Sequence, residues 1–185
     1  MYQHKQTRGN YSITVEFING YLTSIAKLKD KLSRYLDHTY FFEEISKDGK
    51  KLNEIVADRI IATLNTFYQS NPTWNYDKKL YQNQFQNEMF FQEQAKWKES
   101  IRTKSKTWLG LHSEESTISY PARDCLIDNF IELIEDFLIN KKFKMYLMEG
   151  DILNDLSHHW GGIGFQDFFF ETSEHVYLIH FDYYD

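Results

Sequence analysis

Between Pro121 and Asn140 nearly every helical position is apolar, and directly afterwards the spacing of apolar residues changes. Leu126, Ile127, Phe130, Ile131, Leu133, Ile134, Phe137, Leu138 and Ile139 cover most of a helical circumference, leaving Asp124, Asp128, Glu132, Glu135 and Asp136 as a narrow polar strip. A helix apolar nearly all round is buried nearly all round, so this segment predicts the central helix of the fold. Pro121 suits its first turn, where the missing N–H costs nothing, and Asp124 complements the helix dipole. Beyond Asn140 the apolar period falls from 3.6 to 2, with Phe143, Met145 and Leu147 alternating with Lys142, Lys144 and Tyr146.

That alternation marks a strand with one wet face. Two more strands follow at Phe165–Glu171 and His175–Asp182, joined by Thr172-Ser173-Glu174 as a tight hairpin. The last strand is apolar on both faces, with Val176 and Leu178 on one and Tyr177, Ile179 and Phe181 on the other. Both of its faces are therefore expected to be covered. Gly161-Gly162-Ile163-Gly164 leads into a strand rather than a helix N-terminus and lacks a GKS or GKT ending. It reads as a turn and not as a phosphate loop.

Upstream, Ile18, Tyr21, Leu22, Ile25, Leu28, Leu32, Tyr35 and Leu36 recur at three and four residues. They predict a helix that runs until the Lys47-Asp48-Gly49 turn. Residues 11–17 fit a short strand or the first turns of this helix, with helix preferred. A second helix is written by Leu52, Ile55, Val56, Ile60, Leu64, Phe67 and Tyr68, and stops before Asn71-Pro72. A third, more polar helix is expected from Asp77 to about Lys104, and residues 105–122 read as a connecting loop. The expected architecture is α+β in a single domain over residues 1–185. About four N-terminal helices precede a three-stranded antiparallel C-terminal sheet packed on the central helix 121–140.

Charge is polarised along the chain. Residues 1–111 hold 17 Lys+Arg against 12 Asp+Glu, and residues 112–185 hold 4 against 15, so +5 and −11 give the net −6. Such asymmetry points to a charged partner. The single cysteine, Cys125, excludes an internal disulfide framework and reads as a buried thiol within an apolar helix. No secretory leader and no membrane-length apolar run is visible, so a cytoplasmic protein without a membrane partner is expected.

Three sets of residues are candidates for function. His158-His159 with Asp155 or Asp167 would suit an intracellular hydrolase, but the histidines lack metal-ligand spacing, and no metal or cofactor is expected. Lys96-Trp97-Lys98, Arg102, Lys104, Lys106 and Trp108 would suit a nucleic-acid or regulatory module. The acidic balance of the chain argues against nucleic acid; a solvated helix end, where the dipole collects lysines, is the preferred alternative, and neutralisation by the acidic half is a further one. The third set is acidic and aromatic: Asp151, Asp155, Glu171, Glu174, Asp182 and Asp185 around Tyr183 and Tyr184. Carboxylates ringing aromatic anchors suit capture of a cationic protein surface.

With its run HHWGGIGFQDFFFETSEHVYLIHFDYYD behind a helical region rich in Lys, Asn, Tyr and Phe, the chain resembles the small immunity proteins that bacteria pair with polymorphic toxins, including those of contact-dependent growth inhibition. The resemblance implies a cytoplasmic, non-enzymatic inhibitor whose partner is a cognate toxin domain, often a basic nuclease. It carries over no site residue, because such proteins share no common fold.

Overall fold

The computed structural model describes residues 12–33, 35–70, 85, 89–109, 120–149 and 164–184. In order, these form α1 (Val15–Leu32), β1 (Asp37–Ser46), α2 (Leu52–Ser70), β2 (Phe90–Glu93), α3 (Trp97–Lys104), α4 (Lys106–Leu109), α5 (Tyr120–Leu138), β3 (Lys144–Glu149), β4 (Gly164–Glu171) and β5 (His175–Tyr184). The class is α+β, but the sheet has five strands, in the order β1-β5-β4-β3-β2, with every pairing antiparallel. The expected three-stranded sheet is therefore incomplete. Its β3-β4-β5 meander exists, and strands from the N-terminal half are added at both edges.

The two added strands come from segments whose pattern suggested helix. α1 starts at Thr14, whose hydroxyl accepts the Phe17 N–H at 3.2 Å, and it stops at Leu32. Tyr35, which the helical spacing adds to it, lies past its end and is 81% exposed. The chain then extends into β1, where Tyr40 and Phe42 face one side of the sheet while Phe41 and Ile45 face the other. A strand apolar on both faces has no visible period of two, and this one was hidden for that reason. Of the expected third helix, residues 77–84 and 86–88 lie outside the described residues, Phe85 is helical, and the stretch from Phe90 is β2 followed by α3; the expected loop contains the short α4. Lys47-Asp48-Gly49 does turn the chain: Asp48 and Gly49 both take positive φ, 46° and 80°, and the Lys50 N–H returns to the Lys47 carbonyl.

Helices cover both faces of the sheet. On one, Ile18, Leu22 and Ile25 of α1 meet Ile101 of α3, Trp108 of α4 and Phe130 and Ile134 of α5, over Tyr40, Phe168, Phe170, Ile179 and Phe181. On the other, Leu52, Ile55, Val56, Ile60 and Leu64 of α2 cover Met148, Phe169, Val176 and Leu178. This double cover explains why β5 is buried without a break from Val176 to Asp182, as its two apolar faces required. Each such aromatic or aliphatic side chain contributes roughly 1.5–3 kcal/mol relative to leaving it in water.

α5 departs from expectation. It buries Ile127, Phe130, Ile131, Ile134 and Leu138, but Cys125, Asp128, Asn129, Glu132 and Glu135 are exposed, and Ile139 just past its end is 71% exposed. α5 thus lies one-sided on the sheet as part of an outer layer, and its thiol is open to solvent. α2, with seven buried residues from Leu52 to Leu64, is sunk more deeply.

Candidate functional site

The β4–β5 hairpin sets the register from which the site follows. The Thr172 hydroxyl accepts the N–H groups of Glu174 and His175, and the Thr172 N–H donates to the His175 carbonyl at 2.9 Å. This tight turn aligns Glu171 with Val176, and counting outward aligns Phe169 with Leu178 and Asp167 with His180. On β5, His180 and Asp182 share a face, because side chains alternate along a strand. Asp167, His180 and Asp182 therefore meet in space although only the last two are close in sequence.

His180 Nδ1 lies 2.6 Å from Asp167 Oδ1, and its Nε2 lies 3.1 Å from Asp182 Oδ2. The other Asp182 oxygen accepts the Thr39 N–H from β1 at 3.0 Å. Phe41 stacks on the imidazole at 4.7 Å, and Phe165 lies nearly parallel to it at 6.2 Å. All three polar residues are at most 3% exposed. Burial alone would drive the imidazole towards neutrality, but the charge and hydrogen bonds of Asp167 and Asp182 outweigh it and push its pKa up to about 9. At neutral pH the ring is an imidazolium with both nitrogens donating. In that state it can neither ligate a metal nor take a proton from a substrate. Among the described residues no group of three His, Cys, Asp or Glu is arranged to hold a metal ion.

The site had a sequence signal. The turn Thr172-Ser173-Glu174 fixes which β4 residue faces which β5 residue, and His180-Phe181-Asp182 places a histidine and a carboxylate on one face. Asp167 lies 13 residues from His180 in sequence and meets it only across the hairpin, so spacing along a single strand does not reveal the pair.

The acidic and aromatic candidates separate. Asp182 is buried in the cluster just described. Glu171 is held by Lys47, Nζ to Oε1 at 2.6 Å, with both side chains largely covered. Glu174 is exposed at the hairpin tip, where its carbonyl accepts the Lys47 N–H. Tyr183 points to the face covered by α1, α3, α4 and α5, between Trp108 at 5.5 Å and His38 at 6.2 Å. Tyr184 alone of the two tyrosines is open, at 40% exposure, and partial burial together with the nearby Asp182 charge pushes its pKa upward. Asp151, Asp155, Asp185, His158 and His159 lie outside the described residues. Asp167, named with the histidines as a hydrolytic carboxylate, is instead the buried partner of His180.

The basic stretch is turned to internal use. Trp97 packs edge-on against Phe143 and Phe170, and Trp108 is stacked on Phe181, so these indoles belong to the core rather than to a base-stacking surface. Lys98 pairs with Glu135, and Arg102 with Asp128 at 2.6 Å, so α3 neutralises part of the acidic strip of α5. Lys29 of α1 is directed to α4. It donates to the Thr107 and Trp108 carbonyls at the end of α4, where burial pushes its pKa down to about 8. Among the described residues no helix is long and apolar enough to cross a membrane.

No protein-family model and no curated protein matches the chain. Among solved structures, a crystal structure of citrus MAF1 aligns with a TM-score of 0.43 and 16% identity, covering 93% of this chain and 99% of that one. A second crystal form of citrus MAF1 aligns with a TM-score of 0.44 and 17% identity, covering 89% and 98%. Likeness of this degree carries no functional argument.

Proposed function

We propose that this chain is a cytoplasmic binding protein that holds and inhibits a cationic protein domain, in the manner of an immunity protein neutralising a cognate bacterial toxin. The observation that carries the reading is the way β5 ends. The strand is buried from Val176 to Asp182 and then emerges at Tyr184, an aromatic side chain 40% exposed, in the half of the chain that carries fifteen acids against four bases. Exposed aromatics supply binding energy, and surrounding carboxylates choose a basic partner and speed its encounter. The two strand carboxylates nearest to chemistry, Asp167 and Asp182, are sequestered around a protonated histidine, which favours binding over hydrolysis.

The test is co-expression. A candidate toxin domain, taken from the product of the gene directly upstream, is produced in a sensitive host with and without this chain. Restored growth and a co-purifying complex are the expected result. Unprotected growth, with no complex between the two purified proteins, overturns the reading.

A further inference from the structure

We infer that the Asp37–Tyr184 pair, at the open end of the β1–β5 ladder, is the seat for an arginine side chain of the protein partner, an inference that rests on the reading of the partner as cationic. Asp37 and Tyr184 are register partners. Both project to the face that carries Phe41 and His180, and directly opposed residues of an antiparallel pair hold their Cβ atoms about 4.5–5.5 Å apart. Asp37 is exposed, Tyr184 is 40% exposed, and Tyr35, two residues before Asp37, is 81% exposed. A carboxylate and an aromatic face thus stand side by side in solvent.

Tyr184 is braced from within. Two residues before it, Asp182 accepts the Thr39 N–H from β1 and meets His180 Nε2, and His180 in turn is locked to Asp167, so the end of β5 that carries Tyr184 is anchored to both neighbouring strands. A strand end fixed before binding loses little backbone freedom when a ligand arrives, so more of the contact energy appears as affinity. The buried cluster thereby acquires a role at the surface, with His180 as a positioning residue. A planar guanidinium fits this geometry, because it can stack on the phenol while its N–H fork meets the Asp37 carboxylate. A lysine ammonium is a point charge and satisfies the two demands less well.

The experiment uses the full ¹⁵N-labelled chain and N-acetyl-Gly-Arg-Gly amide as the probe, with lysine and citrulline counterparts. Amide shifts at Asp37 and Tyr184 are expected to move with the arginine peptide, with an affinity at least about threefold above that for lysine and no response to citrulline. Asp37→Asn and Tyr184→Leu should abolish the response. His180→Gln, if its spectrum remains that of the folded chain, should weaken it at least about threefold through loss of the brace. Shifts that spare Asp37 and Tyr184, equal binding of lysine and arginine, or an unchanged Asp37→Asn titration each overturn the inference. The two proposals fail separately. Protection of cells that survives Asp37→Asn and Tyr184→Leu removes this site and leaves the function, whereas arginine binding here without protection leaves the site and removes the function.

Discussion

His180 and Asp167 face each other across the β4–β5 ladder with Nδ1 and Oδ1 2.6 Å apart, in a place where each is 2% exposed or less. A buried charge persists only when it is paired and hydrogen-bonded, and here one imidazolium serves two carboxylates drawn from two strands, while a third strand donates the Thr39 N–H. The cluster ties β1, β4 and β5 together at the end of the sheet where Tyr184 emerges.

Its titration sets a pH dependence. The folded pKa of His180, about 9, lies above the ordinary 6.5, so the unfolded chain loses this proton first as pH rises. The stabilisation is fully present below about pH 6.5 and fades as pH climbs through about 9. Urea midpoints of the wild type should fall between pH 7 and pH 10. The fall should be markedly smaller in His180→Gln, which starts from a lower stability. Parallel curves for the two proteins would refute the assignment.

Gly164 is required by its neighbour. It is the register partner of Tyr183, and a Cβ at this position would stand 2.9 Å from the Tyr183 ring. The ring cannot yield freely, because Trp108 and His38 flank it. Gly164→Ala is expected to destabilise by about 1–3 kcal/mol, as overpacking does. In a double-mutant cycle with Tyr183→Ala that cost should largely vanish, which a purely conformational role for the glycine would not produce.

How much of this was readable follows from periodicity. β3 was legible from its alternation, β4 and β5 from two short apolar runs flanking a hairpin turn, and α2 because its apolar stripe has one face. β1 was not, because Tyr40-Phe41-Phe42 fills both faces of a strand and continues a run of apolar residues at helical spacing. The one-sidedness of α5 was also hidden: Leu126, Leu133 and Phe137 are only half-buried, so an apolar circumference overstated its burial. The candidate site was half legible. Tyr184 behaves as a surface aromatic, but Asp37 could be placed beside it only once β1 was known to be a strand.

Phe130 tests the core beneath α5. It is fully buried, stacked with Tyr21 at 6.3 Å and set at a tilt against Phe181 at 6.0 Å. Phe130→Ala should cost about 3–5 kcal/mol in denaturant unfolding. A loss below about 1 kcal/mol would mean that the outer layer is loosely attached.

Asn19 closes the free edge of β1. Its side-chain oxygen accepts the Phe42 N–H at 2.7 Å and its amide donates to the Phe42 carbonyl at 2.8 Å, so one side chain of α1 imitates a neighbouring strand. Asp30 does the same for the His38 N–H at 2.8 Å and also binds the His38 ring. An edge strand left open is a template for pairing with other chains. Asn19→Leu removes both bonds while keeping similar bulk, so it should cost about 1–3 kcal/mol, chiefly from the unsatisfied Phe42 groups. Hydrogen exchange should locate the loss: the Phe42 amide should exchange faster while those of Phe169 and Phe170, deep in β4, stay protected relative to global stability. The same variant should aggregate more readily on mild heating. Unchanged exchange at Phe42 would show that its backbone groups are protected by something other than Asn19.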